Sequence, residues 1–213
     1  MIFNLISGFL ILLSFYNSYQ EFRKDSSLIR KMYMTRITDY FWSLLLVIAI
    51  IVGVIFFYNL DLPRFMTWSW FSIFSGDSND VGNVITQPFN SGSIPLILSF
   101  WVILCIALPY LAKIEEEIFR SNILTLKKRV LYSLYFGFAH MVMGVSITVS
   151  LVLSVVGFIY SIFYIKEYNR IIKSDPDNAN TVATLASSSI HTKYNFILVT
   201  LLAAFSVLLC IVK

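Results

Sequence analysis

Apolar residues run along this chain in blocks longer than a soluble helix or strand needs, separated by short polar intervals. The blocks fall at about 2–17, 40–58, 94–113, 129–145, 147–165 and 181–211, all but the longer last one close to the ~20 residues that carry an α-helix across ~30 Å of hydrocarbon. Lipid offers backbone groups no partner, so the pattern predicts an all-α, polytopic transmembrane helical bundle of about six spans. The apolar stretch from Val130 to Ile165 is too long for one span, and Gly144, between His140 and Ser146, is the expected point of reversal. Asp175-Pro176-Asp177-Asn178 predicts a turn and a helix start, with Asp177, Asn178 or Asn180 as N-cap. The first block has no basic residue before it and no small-residue cleavage signal after it, so a retained, short span is expected.

Composition agrees with this reading. Of 213 residues 58% are hydrophobic and 13% charged, and no soluble-looking block interrupts the runs. One membrane domain over 1–213 follows, with N-terminal spans and an outer loop in 1–93 and a core in 94–213. The net charge of +4 resides in bases that flank spans, which points to membrane orientation in the lipid bilayer and to no nucleic-acid partner. Arg23, Lys24, Arg30, Lys31 and Arg36 predict an amphipathic surface helix on the cytoplasmic side. Lys113, Arg120, Lys127, Lys128 and Arg129, and later Lys166, Arg170 and Lys173, mark two returns to that side. The interval 59–93, whose one base is Arg64 and which holds Trp68, Trp70, Phe71 and Phe74, belongs outside, as do both termini. Cys105 and Cys210 lie within apolar runs and suggest neither a disulfide framework nor a metal cluster.

Against this background six polar side chains stand out: Glu115, Glu116, Arg120, His140, His191 and Asn195, which include both histidines. Such groups are expensive in lipid and are functional candidates for that reason. Glu116 and Arg120, four apart, face each other on a helix, so the guanidinium can hold that carboxylate ionised. Glu115 has Phe119 rather than a cation at its own i+4 position and is the freer base. His140 has Phe136 one turn before it and Gly137 and Gly144 on its face, where another helix can approach closely. In the last block Thr184, Ser187, Ser188, His191 and Asn195 form one polar stripe, with Ser187 and Ser188 read as interhelical hydrogen-bond glue. Lys193 is expected to point to the opposite face and snorkel. On the predicted topology the Glu pair, His140 and His191 share the cytoplasmic half of the bundle. A Glu base, a His partner and a His/Asn donor pair are the parts needed to hydrolyse a bond with an activated water and a stabilised oxyanion.

Read in order, the residues give E-E-x-x-x-R, F-x-x-x-H and H-x-x-x-N, and over roughly Pro95 to the C-terminus the chain resembles the CAAX protease and bacteriocin-processing family of intramembrane endopeptidases. The resemblance implies a helical bundle with its catalytic core in the C-terminal four spans. It implies Glu115 as the base that activates water, Glu116 and Arg120 as its support, and His140 as a further holder of that water. His191 and Asn195 would stabilise the oxyanion. A peptide or membrane-protein substrate is implied, in a multi-pass protein of a bacterial cell membrane; prenylated C-terminal peptides are the substrate of the family's eukaryotic members, and many bacterial members are linked to bacteriocin maturation, self-immunity or protein secretion. No cofactor is expected. Two histidines and a glutamate could also form an open zinc site, but the chain has no H-E-x-x-H pair and supplies Asn195 where a second ligand on the same helix would stand. Two other classes fit part of the pattern: a non-catalytic immunity or scaffold protein, and a proton-coupled transporter, for which neither repeat symmetry nor paired broken helices is visible.

Overall fold

The computed structural model describes residues 2–34, 36–60, 63–67 and 94–212. The elements are α1 (Ile2–Lys24), α2 (Leu28–Met34), α3 (Thr38–Tyr58), a 3₁₀ turn (Arg64–Thr67), α4 (Ile94–Phe119), α5 (Leu126–Ala139), a 3₁₀ turn (His140–Met143), α6 (Ile147–Ile171) and α7 (Ala179–Val212). Four stretches among the described residues are long and apolar enough to cross a membrane: Thr38–Phe57, Ile94–Phe119, Ile147–Ile171 and Ala179–Ile211. The expected count of about six is thus met in part. The aromatic residues Trp68, Trp70, Phe71 and Phe74 lie outside the described residues.

The fourth apolar block, 129–145, departs most from expectation. α5 has 14 residues, so it rises ~21 Å and falls short of a ~30 Å bilayer core on its own. The chain then tightens into the 3₁₀ turn and reverses at Gly144, whose φ of 89° lies in the left-handed region that glycine enters without a Cβ penalty. Ser146 caps the next helix, its side chain accepting a hydrogen bond from the Val149 amide at 3.3 Å. α5 returns against α6 at very short range, because Gly137 sits where any Cβ would lie 2.2 Å from the Ser150 carbonyl oxygen.

α7 is the centre of the bundle and packs on α2, α3, α4 and α6. It starts after Asn178, which is held by Asp175: the aspartate accepts from the Asn178 amide at 3.3 Å and from its side chain at 2.9 Å. Of the three N-cap candidates Asn178 therefore occupies the place, while Asn180 is already inside the helix and accepts from Tyr164 Oη at 2.7 Å and the Asn122 amide at 3.1 Å. From Ser187 to Tyr194 every residue of α7 is buried; beyond Asn195 the helix is largely apolar and half exposed, as a lipid-facing surface requires.

α4 contains Pro109, which has no N–H to give the carbonyl of Cys105 four residues back. Tyr33 Oη donates to that carbonyl at 2.6 Å, so a side chain of α2 repairs the ladder of α4. α2, in the stretch expected to form an amphipathic surface helix, buries Leu28 and Met32 against Tyr110 and Leu185 and leaves Arg30 and Lys31 exposed. The larger core joins α3 (Leu46, Val47, Ile50), α5 (Phe136), α6 (Val152, Leu153, Val156, Tyr160) and α7 (Ile190, Tyr194).

Candidate active site

Glu115 and Glu116 occupy the last turn and a half of α4, and the helix turns them onto different neighbours. Glu116 is fully buried. Its Oε2 accepts from Ser187 Oγ at 2.5 Å, and its Oε1 lies 3.0 Å from His191 Nδ1. The expected partner, Arg120, is also buried but stands at 3.6 Å from Oε2, a charge contact beyond good hydrogen-bond length. Its guanidinium lies over the ring of Phe136, 4.7 Å from the centroid. Burying an ionised carboxylate is affordable only with such partners; each charge-assisted hydrogen bond contributes about 1.5–3 kcal/mol, and the α7 side chains supply two.

Glu115 points to the neighbouring slot. Its Oε2 lies 3.9 Å from His140 Nε2 and 3.7 Å from His191 Nε2, and it takes no direct hydrogen bond from a described protein group. The far nitrogen of each imidazole is already engaged. His140 Nδ1 is 2.8 Å from the Phe136 carbonyl, which can only accept, so that nitrogen carries the proton. His191 Nδ1 faces the Glu116 carboxylate and carries a proton for the same reason. In their neutral forms both rings therefore present an Nε2 lone pair toward the Glu115 carboxylate. Two acceptor nitrogens thus face one carboxylate oxygen, an arrangement that a group with two hydrogens to donate can bridge.

Phe136 holds these parts together. Buried at the core, its ring meets Phe119 at 5.6 Å, His140 at 4.7 Å and His191 at 5.5 Å, all edge to face. Tyr160 of α6 stacks on His191 with centroids 4.6 Å apart and planes 26° from parallel. Gly157, one turn earlier on α6, leaves room for this packing: a Cβ there would come 2.7 Å from Phe136 and 3.1 Å from Arg120.

Glu115, Glu116, Arg120, Phe136, His140 and His191 thus meet in one cluster. Asn195 stands one turn past His191, half-buried, and no hydrogen bond joins it to the cluster among the described residues. Ser187 belongs to the cluster as a direct partner of Glu116, whereas Ser188 bonds back to the Thr184 carbonyl at 2.8 Å within its own helix. Tyr160 was not legible in the sequence, since nothing distinguishes it within an apolar helix. Lys193 does not snorkel: it is fully buried, 3.2 Å from Asp39 Oδ2. Beside Glu117 a crevice of about 550 Å³ opens between α1, α2, α4 and α7, with Glu21, Lys113, Asn180 and Thr184 on its walls. No three His, Cys, Asp or Glu side chains among the described residues form a group spaced to grip one metal ion.

These features define a helical membrane protein with a buried Glu–His cluster where α4, α5 and α7 meet. No family model, curated protein or solved structure matches the chain.

Proposed function

We propose that this protein is an intramembrane endopeptidase of the kind its motifs resemble, hydrolysing a peptide bond near the cytoplasmic face with a water activated by Glu115. The observation that carries the reading is the convergence of Glu115 Oε2 with the two Nε2 atoms at 3.9 and 3.7 Å. Those separations exceed a direct hydrogen bond but fall within the ~5.6 Å that two bonds through one water can reach. Such a water gives one hydrogen to Glu115 and one to an imidazole, and its oxygen lone pair is left for the substrate carbonyl carbon. As the C–O bond forms, the proton passes to Glu115, and the amine that leaves when the C–N bond breaks takes it up.

The tautomers refine the assigned roles. His191 Nε2 is an acceptor while its Nδ1–H is held by Glu116, so the Asn195 amide is the donor available to the oxyanion at the start. His191 becomes a second donor only once protonated. Prenylated peptides and peptide precursors remain the two substrate types to test.

The test is cleavage by purified protein in liposomes, using peptides of both types. We expect the wild type to cut and Glu115→Gln, which keeps the shape but cannot accept the proton, to lose more than about 100-fold in kcat while remaining folded. Equal activity in the two proteins refutes the assignment. One observation favours a non-catalytic scaffold instead: Glu116, Ser187 and His191 satisfy one another, as a packing network would. That reading predicts no cleavage by any variant and loss of partner binding on disrupting Glu116.

A further inference from the structure

α7 is gripped on two opposite faces by the same device. Ser187 and His191, four residues apart, both reach Glu116 of α4. Two residues further along, Ser189 and Lys193, again four apart, both reach Asp39 in the first turn of α3, at 3.1 and 3.2 Å to Oδ2. Lys193 Nζ also donates to Ser189 Oγ at 2.8 Å and lies 5.2 Å from the Tyr40 ring centroid. Between the two pairs Ser43 Oγ of α3 donates to the Ile190 carbonyl at 2.9 Å. Two residues of helix amount to a turn of ~200°, so the carboxylates of Asp39 and Glu116 pull on α7 from nearly opposite sides.

A buried lysine–aspartate pair at this depth is a poor source of net stability, because desolvation consumes most of the attraction. Its geometric effect is larger. A rotation of α7 by ~20° would carry side-chain ends ~6 Å from the axis through ~2 Å, enough to break the His191–Glu116 contact. One clasp leaves that rotation open; a second on the far face closes it. We infer that Asp39, with Ser189 and Lys193, is a positioning device that sets the rotation of α7 and thereby aims His191 at Glu116 and Glu115. The device deepens the endopeptidase reading, but its effect on His191 is measurable without any substrate.

The groups that face His191 are Glu115 and Glu116 from α4, Phe136 from α5, Tyr160 from α6 and Tyr194 on its own helix. The chain has only two histidines, so ¹⁵N-histidine labelling of the whole protein, with His140→Gln for assignment, isolates the His191 Nδ1–H resonance. In the wild type this proton should exchange slowly. In Asp39→Asn/Lys193→Met, which removes both charges and leaves none unpaired, exchange should quicken at least about tenfold while helicity and detergent stability hold. Ser189→Ala, which keeps both charges, should give an intermediate rate. Unchanged exchange in the folded double variant overturns the inference, and should that variant not fold, wild-type exchange in Ser189→Ala overturns it. On a cleaved peptide the double variant should lose up to about 100-fold in kcat with KM little changed. A wild type that cleaves nothing refutes the peptidase reading and leaves the exchange result standing.

Discussion

Gly137→Ala is the smallest change that should damage the site from outside it. The new Cβ would lie 2.1 Å from Ser154 Oγ, 2.2 Å from the Ser150 carbonyl oxygen and 2.6 Å from the Ser154 amide nitrogen. The hydroxyl could rotate away, but the two backbone atoms cannot. A carbon–oxygen contact needs about 3.3 Å, so α5 must recede from α6 by roughly 1 Å. Overpacking of this kind costs about 1–3 kcal/mol, from which the better helix propensity of alanine returns up to about 1 kcal/mol. Phe136 and His140 ride on the same helix end. A shift of 1 Å there would open the 3.9 Å gap between His140 Nε2 and Glu115 Oε2 and lower kcat by up to about 100-fold. Gly53→Ala is the control, since its Cβ would meet only the two side-chain methyls of Val152, at 3.1 and 3.6 Å. Thermal unfolding in detergent and cleavage rates on both variants should separate them by at least about 1 kcal/mol and tenfold in kcat. Indistinguishable variants would show that the α5–α6 contact does not position His140.

Arg120→Ala should lower both folded yield and activity, because it leaves Glu116 without a cation and strips the guanidinium from Phe136; breaking a buried pair costs about 3–5 kcal/mol, and wild-type unfolding behaviour would refute this. Tyr160→Leu should impair activity more than Tyr160→Phe, which keeps the ring stacked on His191; equal kinetics would deny the stack a role. Activity should survive exhaustive chelation, with metal content of the active protein as the companion measurement; stoichiometric zinc and recovery only on adding it back would turn His140 and His191 into ligands. Tyr33→Phe should destabilise the protein by about 1 kcal/mol by orphaning the Cys105 carbonyl beside Pro109, read by the same thermal assay.

Hydropathy carries the spans well because lipid imposes one requirement on every residue of a block. Blocks at 40–58, 94–113, 147–165 and 181–211 correspond to Thr38–Tyr58, Ile94–Phe119, Ile147–Ile171 and Ala179–Val212. The block at 129–145 is less apolar than these and is cut by a 3₁₀ turn, whose position hydropathy does not register. Local spacing placed Glu116 with Arg120, yet the carboxylate's hydrogen bonds come from Ser187 and His191, more than 70 positions away. Lys193 shows the same limit from the other side. Its length allows snorkelling, and only the fold reveals Asp39, 154 positions distant, that makes burial the better state. The candidate cluster could be read because its members are rare residue types in apolar surroundings; Tyr160 and Gly157 are common in such surroundings and carried no signal.

The partners of Glu116 bear on how the protein is assembled in the cell. Chains enter the membrane from their N-terminal side, so α4, with its two adjacent carboxylates, is made before α7 exists. Until α7 docks, Glu116 has Arg120 and neither of its hydrogen-bond donors, and Glu115 has no His191 beside it. Insertion of the last described helix is therefore the event that gives Glu116 both of its hydrogen-bond donors and completes the Glu–His cluster in one movement. A chain stalled before that point holds two of the three helices of the cluster but neither Ser187 nor His191, so the Glu–His arrangement is withheld from every partly built molecule.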